Sequence, residues 1–522
     1  MGMVAPQQRI ASAYSVFFGQ HGDVTRYARE RGVCRQWVYR EAEGVATSLE
    51  GSAQRAEQAR LRARVRELEQ QNAVLDQRLA QAVVLDDDKQ AEFASVGQAS
   101  GVSLPVCRVL LEVLAPGRSL SVPTLGRRTQ AAGTKAGQLL PVLDEVTRPL
   151  VGQSAADEIY VCDPVLMVVE QESLCWVSGH LTASVSGEAW AQEFGQLSNL
   201  EQVTRDGGTG LAKGVALVNE ERQQQGRPLV VDQGDHFHAL RSGGVGLRKA
   251  ELRAGKTLAA AEAAQQELAA CQRGGQDARG ASVRSRLAWQ QAEQAMDTWI
   301  AQDRVWQQTK AALPLITPTG ALNTRQQAEA VLAQTLPQLP DSDFAKTKRQ
   351  LQKPEMLNYL DQVQRQLEAL PLPAAVKQAA VRQEALRRRP ELLQGESSQA
   401  AALRGVMLAC AVVLSKVDQQ GEAAVAAVRD IFRKAYRASS LVECINSVLR
   451  MQQARHRKMT QGLLDLKRLY WNCHTFRTGR RRKTTPYQRL GVPWPEGMSW
   501  WEVLKLTPEQ LRDKLSTAKK AE

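Results

Sequence analysis

What this 522-residue chain has little of narrows its chemistry first. Its eight cysteines (34, 107, 162, 175, 271, 410, 444 and 473) are scattered with no Cys-x-x-Cys pair. Neither a structural zinc site nor a disulfide framework is expected, and this usage fits a reducing cytosol. The N-terminus lacks an apolar signal core, and no run of about 18 apolar residues is evident. An intracellular, cytoplasmic protein with no membrane partner is therefore expected. Aromatics make up only 5% of the residues, and the tryptophans fall in a few places. Acidic charge is also short: 68 Lys and Arg face 55 Asp and Glu, a net charge of +13. Such an excess suits a polyanionic partner, because phosphate contacts release counterions. Ribosomal, RNA-processing and membrane-surface proteins share the bias, so charge alone does not choose among them.

The length allows about three domains. In residues 22–45, Val24, Tyr27 and Ala28 carry one helical face, Gly32 breaks it, and Val33 begins a second helix holding Trp37 and Val38. This is the pattern of a helix-turn-helix over 1–50, with Arg35, Gln36, Tyr39 and Arg40 on the exposed side of the second helix. Arg and Gln suit base edges in a major groove; a plain helical hairpin would give the same pattern. Over 53–85 a coiled coil is expected. Leu61, Val65, Leu68, Asn72, Leu75, Leu79 and Ala82 alternate steps of four and three, with Asn72 at a position where a buried amide fixes a parallel pair in register. A homodimer through 61–82 follows, the alternative being one helix packed on its own chain.

Asp86, Asp87 and Asp88 read as a charged helix terminus or linker rather than a metal site. Short helices at Val106–Leu114, Val122–Leu125 and Leu139–Val146 suggest a second small helical domain over 90–148, with Arg127 and Arg128 as its basic residues. From 149 to 246 the pattern becomes mixed. Strands are expected at Ile159–Val161, Val165–Val169 and Leu174–Val177, then a helix at Gly187–Phe194 and a strand ending at Val203. A helix at Leu211–Glu221 and a strand at Pro228–Val231 complete it. Three strands, helix, strand, helix, strand is the order of a ribonuclease H-like core. Residues 247–435 carry no strand signal and read as an all-helical insertion, after which 436–476 would return the final helix of the core. Residues 477–522 read as a basic tail. The expected fold class is thus multidomain α and α/β, a mixed-sheet core interrupted by a long helical excursion.

Three carboxylates stand where such a core could use them. Asp157, in Ala-Ala-Asp-Glu-Ile-Tyr-Val, opens the first β-run, where it could equally be a turn residue. Asp206, in Arg-Asp-Gly-Gly-Thr-Gly-Leu-Ala-Lys-Gly, closes the fourth strand; Asp-Gly is also a turn signal. Glu443 lies in Ser-Ser-Leu-Val-Glu-Cys-Ile-Asn-Ser-Val-Leu-Arg, where Ser440 and Glu443 make the spacing of a capping box. Yet Glu443, Asn446 and Arg450 share one polar stripe, opposite Val442, Ile445 and Leu449, and such a stripe facing a sheet could hold metal and phosphate. Glu158 and Asp163 rival Asp157, and Asp232 and Asp235 are acidic neighbours of the fifth strand.

These segments resemble the bacterial insertion-sequence transposases of the DDE class. The last continues, as in that class, through Arg455, Leu466, Asn472, Phe476 and a basic run into Thr485-Pro486-Tyr487-Gln488-Arg489-Leu490-Gly491-Val492. The likeness covers roughly 150–245 and 436–492. It implies a metal-dependent polynucleotidyl transferase that cuts and joins DNA at mobile-element ends, with Asp157, Asp206 and Glu443 as the metal-binding triad. Transfer of a phosphodiester needs an activated oxygen, a stabilised leaving oxygen and neutralised charge between them, which a pair of Mg²⁺ ions (or Mn²⁺) supplies. Mg²⁺ prefers carboxylates to histidine or cysteine, in keeping with only six His. Double-stranded DNA, as element end and target, is the implied partner.

The resemblance extends to Asp235-His236-Phe237-His238, similar to an Asp-x-x-His or Cys-x-x-His element that several transposase branches carry before a helical insertion. His238 could orient a phosphate or carboxylate, or be a structural histidine bonded to backbone. Related transposases stack a flipped base on an insertion tryptophan, for which Trp289, Trp299 and Trp306 are candidates; the spacing of Trp299 and Trp306 is also that of core residues. Arg477, Arg480, Arg481, Arg482 and Lys483, close to Tyr470, Trp471 and Phe476, read as a clamp on flanking DNA or a solvated tail. Arg387–Arg389 can be explained by a helix C-terminus. Two other functions fit parts of the sequence: a non-catalytic DNA-binding regulator, and a nuclease of the same fold that does not join strands.

Overall fold

The computed structural model describes residues 5–81, 85–417, 419–453, 459–495 and 497–521. It is 71% helical, with one five-stranded mixed sheet. The chain divides into two compact units, 1–85 and 86–522.

The first unit holds α1 (Pro6–Phe17), α2 (Asp23–Glu30) and α3 (Arg35–Gln81). Gly32, at φ 65°, makes the turn between α2 and α3, a conformation glycine adopts without a Cβ clash. Val38 and Ala42 of α3 are buried with Ala13 of α1 and Ala28 of α2. Arg35, Gln36, Tyr39 and Arg40 are all exposed on the first turns of α3. The expected division at residue 50 does not appear: α3 runs unbroken for 47 residues through Gly44 and Gly51. Leu61, Val65, Leu68, Asn72 and Leu75 are exposed along it. Leu79 and Ala82 fall outside the residues whose side chains are described.

The second unit begins with α4 (Asp87–Ala99), α5 (Leu104–Leu114) and α6 (Val122–Thr147). Asp86 caps α4, accepting a bond from the Lys89 amide at 2.8 Å. The two short helices expected over 122–146 are one 26-residue helix that passes through Pro141. The sheet follows: β1 (Gln153–Val161), β2 (Asp163–Glu170), β3 (Trp176–Leu181), α7 (Gly187–Gly195), β4 (Gln202–Arg205), α8 (Thr209–Gln224) and β5 (Val231–Gly234). Strand order is β3-β2-β1-β4-β5. β1–β2 and β2–β3 are antiparallel, while β1–β4 and β4–β5 are parallel. β1 starts six residues before the expected Ile159. Ser154, Ala155 and Ala156 have little β-propensity, but β2 and β4 flank them on both sides, and pairing overrides propensity.

Helices then continue as α9 (His236–Arg273), α10 (Arg279–Ala311), α11 (Arg325–Thr335), α12 (Asp341–Leu351) and α13 (Asn358–Ala369). After these come α14 (Ala374–Arg387), α15 (Ser398–Ser415) and α16 (Gln419–Arg433). Their own core gathers Trp306, Phe344, Tyr359, Leu360, Val428 and Phe432. It docks on the edge strand: Asn358 Nδ2 donates to Asp232 O at 2.5 Å, and Gln233 Oε1 accepts from the Tyr359 amide at 2.7 Å. Arg388 and Arg389 of the basic triplet bond carbonyls of Phe432 and Thr317 and so serve packing. Among the described residues α15 alone is long and apolar enough to cross a membrane by length and composition, although it contains Arg404 and only 22% of it is buried.

The chain closes with α17 (Ser440–Gln453), α18 (Gln461–Cys473), α19 (Pro486–Leu490), α20 (Trp500–Lys505) and α21 (Pro508–Ala521). Residues 477–522 are therefore not a simple tail. Trp500, Val503, Leu504, Leu511 and Leu515 recur at helical spacing and are buried with Leu139, Leu143, Leu466 and Leu469 of α6 and α18. Likewise 90–148 shares its core with this end of the chain.

The α6–α18 crossing depends on two glycines. A Cβ on Gly133 would meet Gly462 O at 2.5 Å, against backbone that cannot rotate away. Gly133→Ala should separate these helices and cost about 1–3 kcal/mol, read as a lowered Tm, whereas Gly207→Ala, with open space at its Cβ, should leave Tm within a degree or so of wild type.

Candidate active site

Asp157 lies mid-strand in β1, on the rung beyond the Ala156–Arg205 pair, so Asp206 follows directly at the end of β4. Odd-numbered residues of β1 (Ala155, Ile159, Val161) pack with Val442, Ile445 and Leu449 of α17. Even-numbered Ala156 packs with Trp190, Leu211 and Val215 of α7 and α8. Asp157 thus faces α17 and Glu158 the opposite side, a consequence of strand alternation. Oxygens of Asp157, Glu158 and Asp206 nonetheless come within 4.8 Å of one another at the strand end. Asp206 is fixed by its own turn, Oδ1 accepting from the Gly208 amide at 2.8 Å. Glu158 Oε2 is buried without a hydrogen-bond partner.

Helix α17 supplies the rest. Its apolar stripe is fully buried on the sheet, as its spacing predicts, and its polar stripe faces the carboxylates. Buried Asn446 donates through Nδ2 to Asp157 Oδ2 at 2.8 Å, a contact between residues 289 positions apart. Glu443 pairs with Arg450 at 2.8 Å and faces His238 Nε2 across 3.8 Å. The tight carboxylate cluster contains Glu158, whereas Glu443 approaches Asp157 from the other side, near enough to raise its pKa.

Asp235 holds this arrangement together. It caps α9, accepting from the Phe237 amide at 2.8 Å and the His238 amide at 3.3 Å. It also accepts from His238 Nδ1, from the Ser439 amide at 3.1 Å and from Ser439 Oγ at 2.9 Å. One buried carboxylate therefore ties the departure of the helical excursion to its return, 204 residues later. Burial pushes the Asp235 carboxyl up, but the bonds from His238 and Phe237 prevail and hold it below the ordinary range. His238 in turn is raised by its bond to Asp235 and by the Asp157 and Asp206 charges, despite partial burial. Its partners are carboxylates; the alternative of a histidine bonded to backbone is not what the side chain does. Its neighbour His236 takes that role, Nε2 bonding Met356 O at 2.6 Å.

The electrostatics demand a cation or a proton. Two full negative charges 4.8 Å apart repel by roughly 3 kcal/mol at an effective dielectric near 20. Asp157 responds accordingly: burial first, then Asp206, Glu443 and Glu158, push its carboxyl up to about 7. Burial and Asp206 also raise Glu158. Asp157, Glu158 and Asp206, all oxygen donors and with one Glu158 oxygen left unpartnered, could hold a metal ion.

Sequence reasoning missed the wall behind Asp206. Arg205, 3% exposed, pairs with Asp232 at 2.6 Å and with Glu355 of the helical excursion at 3.4 Å. Gln350 and Lys353 line the same small cleft as Asp206 and Asp235. Only a Pro-flanked loop marks these residues in the sequence, and nothing there ties it to β4. Asp232 is thus an ion-pair partner and Asp235 a clamp, while Asp163 sits at the far end of β1, opposite Val161. Of the basic run, Arg477, Arg480, Arg482 and Lys483 are exposed. Arg481 is not a free cation for DNA: it donates to Glu172 O at 2.9 Å and Gln171 O at 3.1 Å. Asn472 clasps both backbone groups of Trp176. Trp306 is core, packed on Gly243 and Phe344; Trp299, seven residues earlier on α10, is half-buried, and Trp289 is exposed. Arg455 lies outside the described residues.

A carboxyl whose folded pKa lies above its unfolded value contributes stability below the unfolded value that is lost as pH rises through the folded one. For Asp157 that window runs from 3.8 to about 7, worth about 4 kcal/mol at most. In metal-free protein, the Tm advantage of Asp157→Asn over wild type should therefore grow from pH 4 to above 7, and added Mn²⁺ should shrink it by stabilising only the wild type.

Comparison with protein-family models, with curated proteins and with solved structures finds no match to this chain.

Proposed function

We propose that this chain is a DNA transposase of the DDE class, with a ribonuclease H-like catalytic sheet interrupted by a helical excursion and Asp157, Asp206 and Glu443 as its metal-binding carboxylates. The observation that carries this reading is the meeting of a late helix with two early strand residues: Asn446 bonds Asp157, and Glu443 adds its charge to the Asp157–Asp206 pair. A regulator that only binds DNA has no need of that convergence. The three antiparallel strands followed by two parallel ones, in the order β3-β2-β1-β4-β5, accord with the same reading.

When bound, Mg²⁺ or Mn²⁺ would lower the pKa of the attacking oxygen and neutralise the phosphate and leaving oxygen. The residues present prepare the ground for that. Asp157 and Asp206 converge negative charge, and Asn446 fixes the Asp157 oxygen that faces α17. His238, oriented by Asp235, presents Nε2 to Glu443 across 3.8 Å. Arg450 pairs with Glu443 and is half-exposed, able to meet a phosphate at the rim. Arg35, Gln36, Tyr39 and Arg40 would read element ends through a helix-turn-helix in the first unit, in a bacterial cytosol. The exposed Leu61, Val65, Leu68 and Leu75 seam would be buried in a parallel homodimer registered by Asn72.

Two measurements test this. Mn²⁺-dependent nicking of duplex DNA and joining of its 3′ end should fall by at least 10³-fold in Asp206→Ala and Glu443→Gln, with folding unchanged by circular dichroism; wild-type rates in either variant would remove that residue from the site. By light scattering the full chain should be a dimer, and Leu68→Lys with Leu75→Lys should yield monomer; a wild-type monomer would dismiss the pairing.

A further inference from the structure

The excursion does not leave the site as neutral scaffold. Helix α9 carries His238 in its first turn and then runs outward for nine further turns or so. Its buried face is Ala239, Gly243, Gly246, Ala250 and Ala254, set against Trp306 of α10 and Asp343–Phe344 of α12. On the opposite face, steps of three and four from His238 reach Arg241, Val245, Arg248, Leu252 and Lys256, with Lys249 alongside. All six are exposed, and none of these positions is acidic. Glu251 borders the row and pairs with Arg248 at 3.0 Å, and Arg253 on the other border pairs with Asp343. Among the described residues, Arg241, Lys249 and Lys256 form no salt bridge, although Lys249 lies near enough to Asp343 to help hold that carboxyl down.

We propose that this face of α9 is a track for duplex DNA flanking the cleavage point, with Arg241, Lys249 and Lys256 contacting phosphates about three base pairs apart. The inference rests on the DNA-processing reading of the carboxylate site and extends it to where the substrate lies. The fifteen helical steps from Arg241 to Lys256 span about 22 Å, or roughly six base pairs. The row is continuous with the site because His238 belongs to both. Charge selects a polyanion. The cations alternating along the row favour duplex backbone over a peptide, and two apolar side chains, Val245 and Leu252, are too few for a membrane-binding face.

The test uses the full chain and a 30-base-pair fluorescein-labelled duplex of arbitrary sequence, in Ca²⁺, with anisotropy read between 50 and 200 mM KCl. The triple variant Arg241→Glu, Lys249→Glu, Lys256→Glu should lower the slope of log K against log[salt] by about 2–3 and weaken binding at least tenfold at 150 mM. Independently, a photo-crosslinking benzoylphenylalanine in place of Leu252 should label the duplex, whereas the same group in place of exposed Val283 on α10 should not. An unchanged slope together with equal labelling from the two positions would overturn the track. That failure is distinct from failure of the enzyme reading: cleavage surviving in a variant with unchanged slope leaves the site intact, while a slope change without any metal-dependent cleavage in wild type leaves only a binding surface.

Discussion

One buried carboxylate governs whether this molecule has a site at all. Asp235 is 4% exposed and accepts from five donors, two of them on Ser439 at the far end of the helical excursion. Hydrogen bonds to a charged group contribute more than neutral ones, and a donor left unmade in the interior costs about 1–3 kcal/mol. The clamp opposes the chain entropy of closing so long a loop, a cost that grows only logarithmically with length. Because α17 begins at the residue after Ser439, holding Ser439 sets where Glu443 and Asn446 stand. The excursion's own core, docked through Asn358 and Tyr359 on β5, supports the closure from outside.

Given that closure, the sheet and α17 build an electrostatic problem that the protein alone does not solve. Asp157, Glu158 and Asp206 crowd together at the strand end, Glu443 adds its charge from the α17 side, Arg450 pairs with Glu443, and His238 is bonded to Asp235. Packing of Val442, Ile445 and Leu449 keeps α17 from retreating, so the repulsion is carried as a raised Asp157 carboxyl. Structural ion-pair networks relieve such charge internally; here one oxygen of Glu158 has no partner. An acidic cluster so arranged could hold a metal ion.

Much of this was legible in the sequence, for identifiable reasons. The alternation of β-branched runs and turn residues gave the five strands and two helices of the sheet in order, and the i, i+3, i+4 spacing of Val442, Ile445 and Leu449 gave the buried face of α17. That α17 returns to β1, where Asn446 bonds Asp157, was expected only from resemblance, since nothing in spacing alone joins residues so far apart. Boundaries failed where tertiary contact overrides local preference: β1 extends through Ser154–Ala156, α6 continues through Pro141, and α3 passes two glycines. The C-terminal segment looked like a tail because its basic run masks the helical spacing of Trp500, Val503, Leu511 and Leu515. Arg481 looked like a free cation for the same reason, until the β2–β3 turn supplied its carbonyls. Glu158 was a rival to Asp157 in sequence, and it is instead a companion on the other face of the same strand.

The most direct test of the central claim is anomalous diffraction from crystals of the full chain soaked in Mn²⁺. A peak coordinated by Asp157 and Asp206 oxygens at roughly 2.1 Å, with Glu443 turned toward it or toward a second ion, is the expected result. Crystals that show no ion there, with Glu443 directed away and Asp235 no longer bonded to Ser439, would contradict the account.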